Sequence, residues 1–346
     1  MVEKFNVSWI VLTYKCNNNC KWCYASSNGS RNEELEKDRV PGVLDLLKEI
    51  GIKRTILIGG EPTIYKNLEY VLDEHNKRGI ETGFVTNGRM LHKKSFSKLL
   101  GKKGLKDITV SIEGYDAKSH DSITNSNGSY DQAIKGIKNA SSEGIRVSTN
   151  TVISDSNKEE LEKIVDSILV MPVEKIGFNI CGPCLTSEDK RMNVINPYEA
   201  AKSFERVYKK YSEKIKMRLV TPVPLCFFEE DTRENFKSKQ ISSGGPCQLS
   251  HGRNFVVDCN GDINPCTHLS GFPLGNIFDN GKVISKEEFL KNYNSEEGIA
   301  YKLRQKMSRN ASTKCNEENC KEPCSGGCPL FWAVYNPQKE IKGTKA

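Results

Sequence analysis

A chain of 346 residues has room for about two domains and a sizeable core. Its 37% hydrophobic and 27% charged residues describe a water-facing protein; no apolar run reaches membrane-spanning length, and the N-terminus lacks the basic-then-apolar pattern of a signal peptide. Membrane insertion and secretion are thereby excluded, and the expected location is cytoplasmic. The formal charge of +7 is a modest excess with no basic patch interleaved with aromatics, so runs such as 209–216 read as solvated helix faces and a nucleic-acid partner is not expected. An acidic peptide or small anionic substrate suits that balance. Thirteen cysteines in a reducing compartment point to metal or redox chemistry rather than disulfides.

The chain opens on a β-branched, apolar run that reads as a buried strand over 7–13. Directly after it stands K-C-N-N-N-C-K-W-C-Y, which sets Cys16, Cys20 and Cys23 in a C-x3-C-x2-C arrangement on one loop. Three thiolates on one tight loop can hold three irons of a [4Fe–4S] cube and leave the fourth iron open to a small molecule. The competing reading is a zinc knuckle, but zinc usually needs a fourth Cys or His close by, and none follows in this loop. Further strands are expected at 55–58, 82–86, 107–112, 146–153 and 175–180. Helical patterns lie between them, for example Val43, Leu44, Leu46, Leu47 and Ile50, then Leu161, Ile164, Val165 and Ile168. This alternation predicts parallel βαβ units, with the chemistry at the C-terminal ends of the strands.

Polar motifs fall at those ends. After the second strand comes Gly59-Gly60-Glu61-Pro62, where adjacent glycines permit close backbone approach and the Glu61 carboxylate can accept hydrogen bonds from an ammonium group. Thr86-Asn87-Gly88 follows the third strand and Ser111-Ile112-Glu113-Gly114 the fourth. Taken together in this order, the motifs resemble the radical S-adenosylmethionine (SAM) enzymes, whose C-x3-C-x-φ-C signature has Trp22 at its aromatic position here. The resemblance covers about the first 180 residues and implies a partial (βα)6 barrel within the α/β class. It also implies that Cys16, Cys20 and Cys23 carry one SAM-binding [4Fe–4S] cluster. Gly59, Gly60, Glu61, Thr86, Asn87, Ser111 and Glu113 are then cofactor-binding residues. In that family, one-electron cleavage of SAM gives a 5′-deoxyadenosyl radical that abstracts hydrogen from the substrate. Here Glu113 replaces a commoner aspartate. Ser119-His120-Asp121 and Gly128-Ser129-Tyr130-Asp131 resemble a further family stretch, with Thr124-Asn125-Ser126 where a basic residue is often found.

Residues 181–225 read as a bridging segment, with a helix that Asn196 caps and Pro197 opens and a strand over 217–220. At its start, Cys181-Gly182-Pro183-Cys184 places a thiol at the end of the sixth strand, on the reactive rim. Cys181 and Cys184 are therefore candidate catalytic residues, for hydrogen-atom donation to a substrate radical or a thiol–disulfide step, against the reading of half-buried structural thiols.

Residues 226–335 hold eight more cysteines: Cys226, Cys247, Cys259, Cys266, Cys315, Cys320, Cys324 and Cys328. Residues 256–266 read as a hairpin turning at Asn260-Gly261. Cys247, Gly261 and Cys266 fit the C-x(9–15)-G-x4-C signature of a SPASM domain, so this region resembles that small cysteine-rich extension, which carries two auxiliary [4Fe–4S] clusters. By resemblance Cys247, Cys266 and Cys328 serve the first cluster, and Cys315, Cys320 and Cys324 the second. The later group departs from the family pattern, since Cys320 sits two positions late and no cysteine follows Cys328. Which of Cys226 and Cys259 completes which cluster stays open. Residues 336–346 form a lysine-rich tail.

The resemblance implies hydrogen abstraction from a peptide or protein, as in crosslinking or oxidative maturation, with a flavodoxin- or ferredoxin-type electron donor. The alternative is a small molecule or cofactor precursor. With the first strand at about residue 7, either a separate leader-binding protein presents the peptide or no leader is needed.

Overall fold

The computed structural model describes residues 5, 7–26, 32–183, 194–239, 247, 254–307, 311–315, 324 and 326–341. Strand and helix alternate as the pattern dictates. The order is β1 (Val7–Thr13), α1 (Val40–Glu49), β2 (Arg54–Gly59), α2 (Leu68–Arg78), β3 (Glu81–Thr86), α3 (Lys94–Lys102) and β4 (Asp107–Ser111). Two helices follow, α4 (Ala117–Thr124) and α5 (Ser129–Ser142), then β5 (Arg146–Ile153), α6 (Leu161–Leu169), β6 (Lys175–Ile180), α7 (Pro197–Tyr211) and β7 (Lys216–Leu219). Helices α1 and α6 bury the expected stripes, Val43, Leu44, Leu46 and Leu47 in one and Leu161, Ile164, Val165 and Ile168 in the other. Asn196 caps α7 through its Oδ1, which accepts the Tyr198 N–H at 2.8 Å, and Pro197 stands at the first helical position.

The first six strands pair in parallel in sequence order, as the βαβ reading requires. The sheet goes further than six strands. Strand β7, from the bridging segment, adds in parallel to β6. Strand β8 (Asn254–Val257), from the cysteine-rich region, adds in parallel to β1 and turns through Gly261 into antiparallel β9 (Ile263–Asn264). The hairpin is where the sequence places it, but its first strand belongs to the main nine-stranded sheet, of order β7-β6-β5-β4-β3-β2-β1-β8-β9. Side chains from β1 through β8 line one cavity, so the sheet curls around it. Among the described residues, no helix is long and apolar enough to cross a membrane.

An aromatic cluster clamps β8 to β1. Phe5, immediately before β1, packs edge-on against Phe255, Phe289 and Tyr293 at centroid distances of 5.2–5.7 Å. Phe255 is 1% exposed, and a Phe→Ala change at such a site costs about 3–5 kcal/mol. Phe255→Ala is expected to move the first urea-unfolding midpoint sharply downward. A midpoint equal to wild type would show that this cluster does not hold β8 in place.

Candidate active site

The loops after β1, β2 and β3 meet over the C-terminal end of the sheet. After β2, Gly60 donates its N–H to Thr13 O at 2.7 Å and Glu61 donates to Lys15 O at 2.8 Å. That contact needs bare backbone. A Cβ on Gly60 would lie 2.3 Å from Lys15 O, and one on Gly59 2.2 Å from Thr13 O. The Gly59-Gly60 turn therefore lies directly under the residue that precedes Cys16.

Glu61 is buried and its carboxylate is occupied by the chain itself. Oε1 accepts the Thr63 N–H at 3.0 Å, the Thr63 hydroxyl and the Thr86 hydroxyl at 2.7 Å, while Oε2 accepts the Asn87 N–H at 2.7 Å. Three of these donors fall on Oε1 and one on Oε2, so Oε2 keeps an acceptor position. Glu61 thus ties the turn after β2 to the turn after β3 and still lines the cavity.

The cysteine loop is held from three further sides. Asn87 Nδ2 donates to Asn17 Oδ1 at 2.6 Å. Arg89 donates to Asn17 O and, at 3.0 Å, to Asn18 Oδ1, while its Nε reaches Gln132 Oε1 at 2.6 Å. Asn19 N–H and Lys21 N–H donate to Thr124 O and Ile123 O, the last carbonyls of α4. Asn125 ends that helix in the left-handed conformation, so the Thr124-Asn125-Ser126 stretch serves as a shelf for the loop. Asp121 fixes the shelf by accepting from Gly128 N–H, Ser129 Oγ and Tyr130 N–H at 2.6–2.9 Å. Arg89 and Gln132 were not singled out from the sequence; Arg89 directly follows T-N-G, yet it carries no motif of its own.

Burial raises the Cys16 thiol to about 12, against a smaller opposing effect of the Asn18 N–H, and raises Cys20 as well. Metal loading at this loop therefore displaces thiol protons. The thiols stand within electrostatic reach of one another, Cys23 acting on Cys16 and both acting on Cys20. Three cysteines on one loop are a donor set that a four-iron cube fits.

One cavity of 1810 Å³ joins this loop to the rest of the candidate residues. Cys16, Cys20 and Cys23 line it together with Gly59, Gly60, Glu61, Thr86, Asn87, Ser111, Glu113 and Cys181. Glu113 is buried at the end of β4, with Oε2 accepting the Val152 N–H at 2.8 Å, and desolvation lifts it to about 8. At neutral pH it therefore faces the cavity as a neutral acid with a proton to donate. His120 is buried neutral, its pKa lowered to about 4, and its Nδ1 accepts the Glu113 N–H at 3.1 Å. Cys181 is buried at the end of β6, with burial pushing its thiol up to about 12. Cys184 and Cys320 lie outside the described residues.

The C-terminal cysteines divide in space. Cys247, Cys266 and Cys328 line the same cavity; after the larger effect of burial, Cys247 raises the Cys266 thiol, and Cys247 and Cys266 raise that of Cys328. Cys226, Cys315 and Cys324 are half-buried elsewhere, Cys324 accepting the Gly326 N–H at 3.2 Å. Cys259 is buried in the turn between β8 and β9, raised to about 12 by burial and then by Asp258. The two regions are tied by Tyr14 Oη and Ser270 Oγ at 3.0 Å and by the Tyr24 ring against His268.

Two outcomes follow. Gly60→Ala should cost the chain its first-loop metal, seen as about four fewer irons after anaerobic reconstitution; unchanged iron would show that the close backbone contact is dispensable. Glu113 gives a pH signature. A carboxyl raised from 4.5 to about 8 on folding stabilises the fold below its unfolded value, and that contribution is lost as pH rises through about 8. Glu113→Gln should flatten the fall in stability of the metal-free chain between those limits. Parallel pH profiles for variant and wild type would contradict the burial of a neutral acid.

Residues 10–168 match the Radical SAM superfamily model. The chain is 23% identical over 318 residues to the antilisterial bacteriocin subtilosin biosynthesis protein AlbA of Bacillus subtilis, covering 92% of this chain and 65% of that protein, less than two thirds of its length. It is 27% identical over 224 residues to a probable GTP 3′,8-cyclase of Sulfurisphaera tokodaii, covering 63% of this chain and 69% of the cyclase. Its fold resembles Streptococcus suis SuiB in the crystal structure bound to precursor peptide SuiA, with a TM-score of 0.70 at 17% identity over 98% of this chain and 75% of that one. The motifs at the strand ends, the parallel sheet that carries them and the family match agree, and residues 10–168 are a Radical SAM domain.

Proposed function

We propose that this chain is an enzyme that removes a hydrogen atom from a peptide or protein substrate, in a post-translational modification such as crosslinking or oxidation. Cys16, Cys20 and Cys23 hold a [4Fe–4S] cluster and the turns around Gly59-Gly60, Asn87 and Ser111 hold S-adenosylmethionine, which when bound and reduced supplies a 5′-deoxyadenosyl radical. The observation that carries this reading is the single cavity running from the first cysteine loop to Cys247, Cys266 and Cys328. Its 1810 Å³ is room that the cluster, S-adenosylmethionine and substrate would share.

The chain's own part is positioning and proton control. The Arg89–Asn17–Asn87 bonds keep the cysteine loop rigid. Glu113 offers a proton rather than a charge to whatever lies over β4, which spares the site an uncompensated anion. Cys181 brings an S–H to the cavity wall. That hydrogen atom is used only where the substrate radical is quenched by a new C–H bond, a redox-neutral outcome without mass loss, and the thiyl left behind is restored by one electron and one proton from the external donor. That donor is of flavodoxin or ferredoxin type. Cys247, Cys266 and Cys328 are assigned to one auxiliary [4Fe–4S] cluster, and Cys315, Cys320 and Cys324 to a second, with Cys226 or Cys259 available to complete either.

The peptide reading is supported by AlbA, named for the biosynthesis of a bacteriocin, and by the SuiB structure with its precursor peptide. The likeness to GTP 3′,8-cyclases favours a second reading, a small-molecule substrate. Incubating the reduced enzyme and SAM with the peptides encoded beside its gene separates the two. A SAM-dependent mass loss on such a peptide is expected; turnover of GTP with no peptide modified would overturn the first reading.

Anaerobic reconstitution should give about 12 irons with matching sulfide, and a Cys16/Cys20/Cys23 triple Ala variant about 8. A wild-type content near about 4 would remove the auxiliary clusters. Cys181→Ala should retain full iron and SAM cleavage yet fail to release normal product; normal turnover would make Cys181 structural.

A further inference from the structure

The cavity extends below the cysteine loop, into the body of the sheet. Its lower wall carries Arg54, Arg146, Lys175, Lys216 and Arg218 against two carboxylates, Asp107 and Glu174. Arg54 and Arg146 both pair with Asp107. Arg218 has no hydrogen bond or ion pair among the described residues, and neither does Lys216.

Strand geometry explains why these cations point inward. In β7 the sequence K-M-R-L alternates, with Met217 and Leu219 buried in the core and Lys216 and Arg218 facing the cavity. The pairing register places Ser111, Asn150, Gly177 and Arg218 in one row across β4, β5, β6 and β7. Gly177 contributes no side chain, and the space over it is taken up by Asn150 Oδ1 and Val220 Cγ2, which a Cβ there would meet at 3.3 and 3.4 Å. Asn150 Oδ1 accepts from Asn179 Nδ2 at 2.9 Å, and Asn179 Oδ1 accepts from Thr221 Oγ1 at 3.1 Å, so these polar groups are engaged with one another. Arg218 is exposed on the cavity wall, and partial desolvation lowers its pKa from the ordinary arginine value. Five cations against two carboxylates leave this wall with an excess of positive charge that an anionic group can pair with.

We propose that Arg218, with Lys216, forms a carboxylate-binding subsite that selects peptides bearing an acidic group near the residue to be modified. This rests on the peptide reading above. The planar guanidinium takes a carboxylate through two parallel hydrogen bonds, and Lys216 adds charge. Arg218 stands in the row of Ser111, one of the residues assigned to S-adenosylmethionine, so an acid bound there is anchored on the same level of the sheet as the cofactor's site.

The test passes random dodecapeptides over the anaerobically reconstituted holoenzyme with SAM, in one arm as free acids and in the other as C-terminal amides, and sequences what is retained. Wild type should enrich Asp and Glu tenfold or more over input. Asp and Glu enriched in both arms assign the bound group to a side chain and support the subsite; free acids retained over amides with no Asp or Glu enrichment assign the contact to the chain terminus and overturn it. Arg218→Gln should abolish the enrichment, Arg218→Lys should keep part of it, and Lys98→Gln, the same charge change at an exposed helix position, should leave it intact. Equal iron content in all four proteins verifies the fold, and Arg218→Lys against Lys98→Gln decides the matter should Arg218→Gln lose iron. Peptides retained without acidic bias, or a bias unchanged by Arg218→Gln, would overturn the subsite alone. Retention of no peptide by wild type would overturn the peptide reading and the subsite with it.

Discussion

The site depends on two backbone hydrogen bonds, Gly60 N–H to Thr13 O and Glu61 N–H to Lys15 O. They fix where the first strand ends and so where the cysteine loop begins. Neither bond can form with a side chain at Gly59 or Gly60, because a Cβ would sit at 2.2–2.3 Å from the opposing carbonyls. Glu61 then carries the constraint onward through its buried carboxylate to Thr86 and Asn87, and Asn87 returns it to Asn17 inside the loop. Three strand ends are locked into one unit by hydrogen bonds alone. The cysteines need only be presented by this unit; their own raised thiols would not assemble a metal site without it.

The same sheet carries the second half of the chain. Strand β8 lies beside β1, so the segment leading to Cys259 and Cys266 is in register with the strand that leads to Cys16. Strand β7 lies at the opposite edge, where its inward cations face the cavity that the cysteines close from above. Thiols at one end and charge at the other therefore share one cavity. Glu113, protonated at neutral pH, keeps negative charge away from the upper end, while the lower end gathers positive charge.

Much of this was legible in the residues. The strands at 7–13, 146–153 and 175–180 stand where the β-branched runs put them, and the motif residues all reach the cavity because parallel strands end on one side. What the sequence hid was of two kinds. The hydrogen bonds that Glu61 accepts come from positions 63, 86 and 87, which no local pattern announces. Strands β7 and β8 are four residues each, too short for periodicity to assign them to the main sheet, and an alternating K-M-R-L reads by default as a solvent-facing edge rather than a cavity wall. Arg89 shows a third limit, because a lone arginine after a turn gains its meaning only from the carbonyl it reaches across the fold.

The central claim is that the loop of Cys16, Cys20 and Cys23 is the seat of SAM cleavage. The direct measurement is 5′-deoxyadenosine formation from SAM and dithionite under anaerobic conditions, comparing wild type with the triple Ala variant that keeps its other iron. The account predicts formation by wild type and none above background by the variant. Substantial 5′-deoxyadenosine from the variant would contradict it.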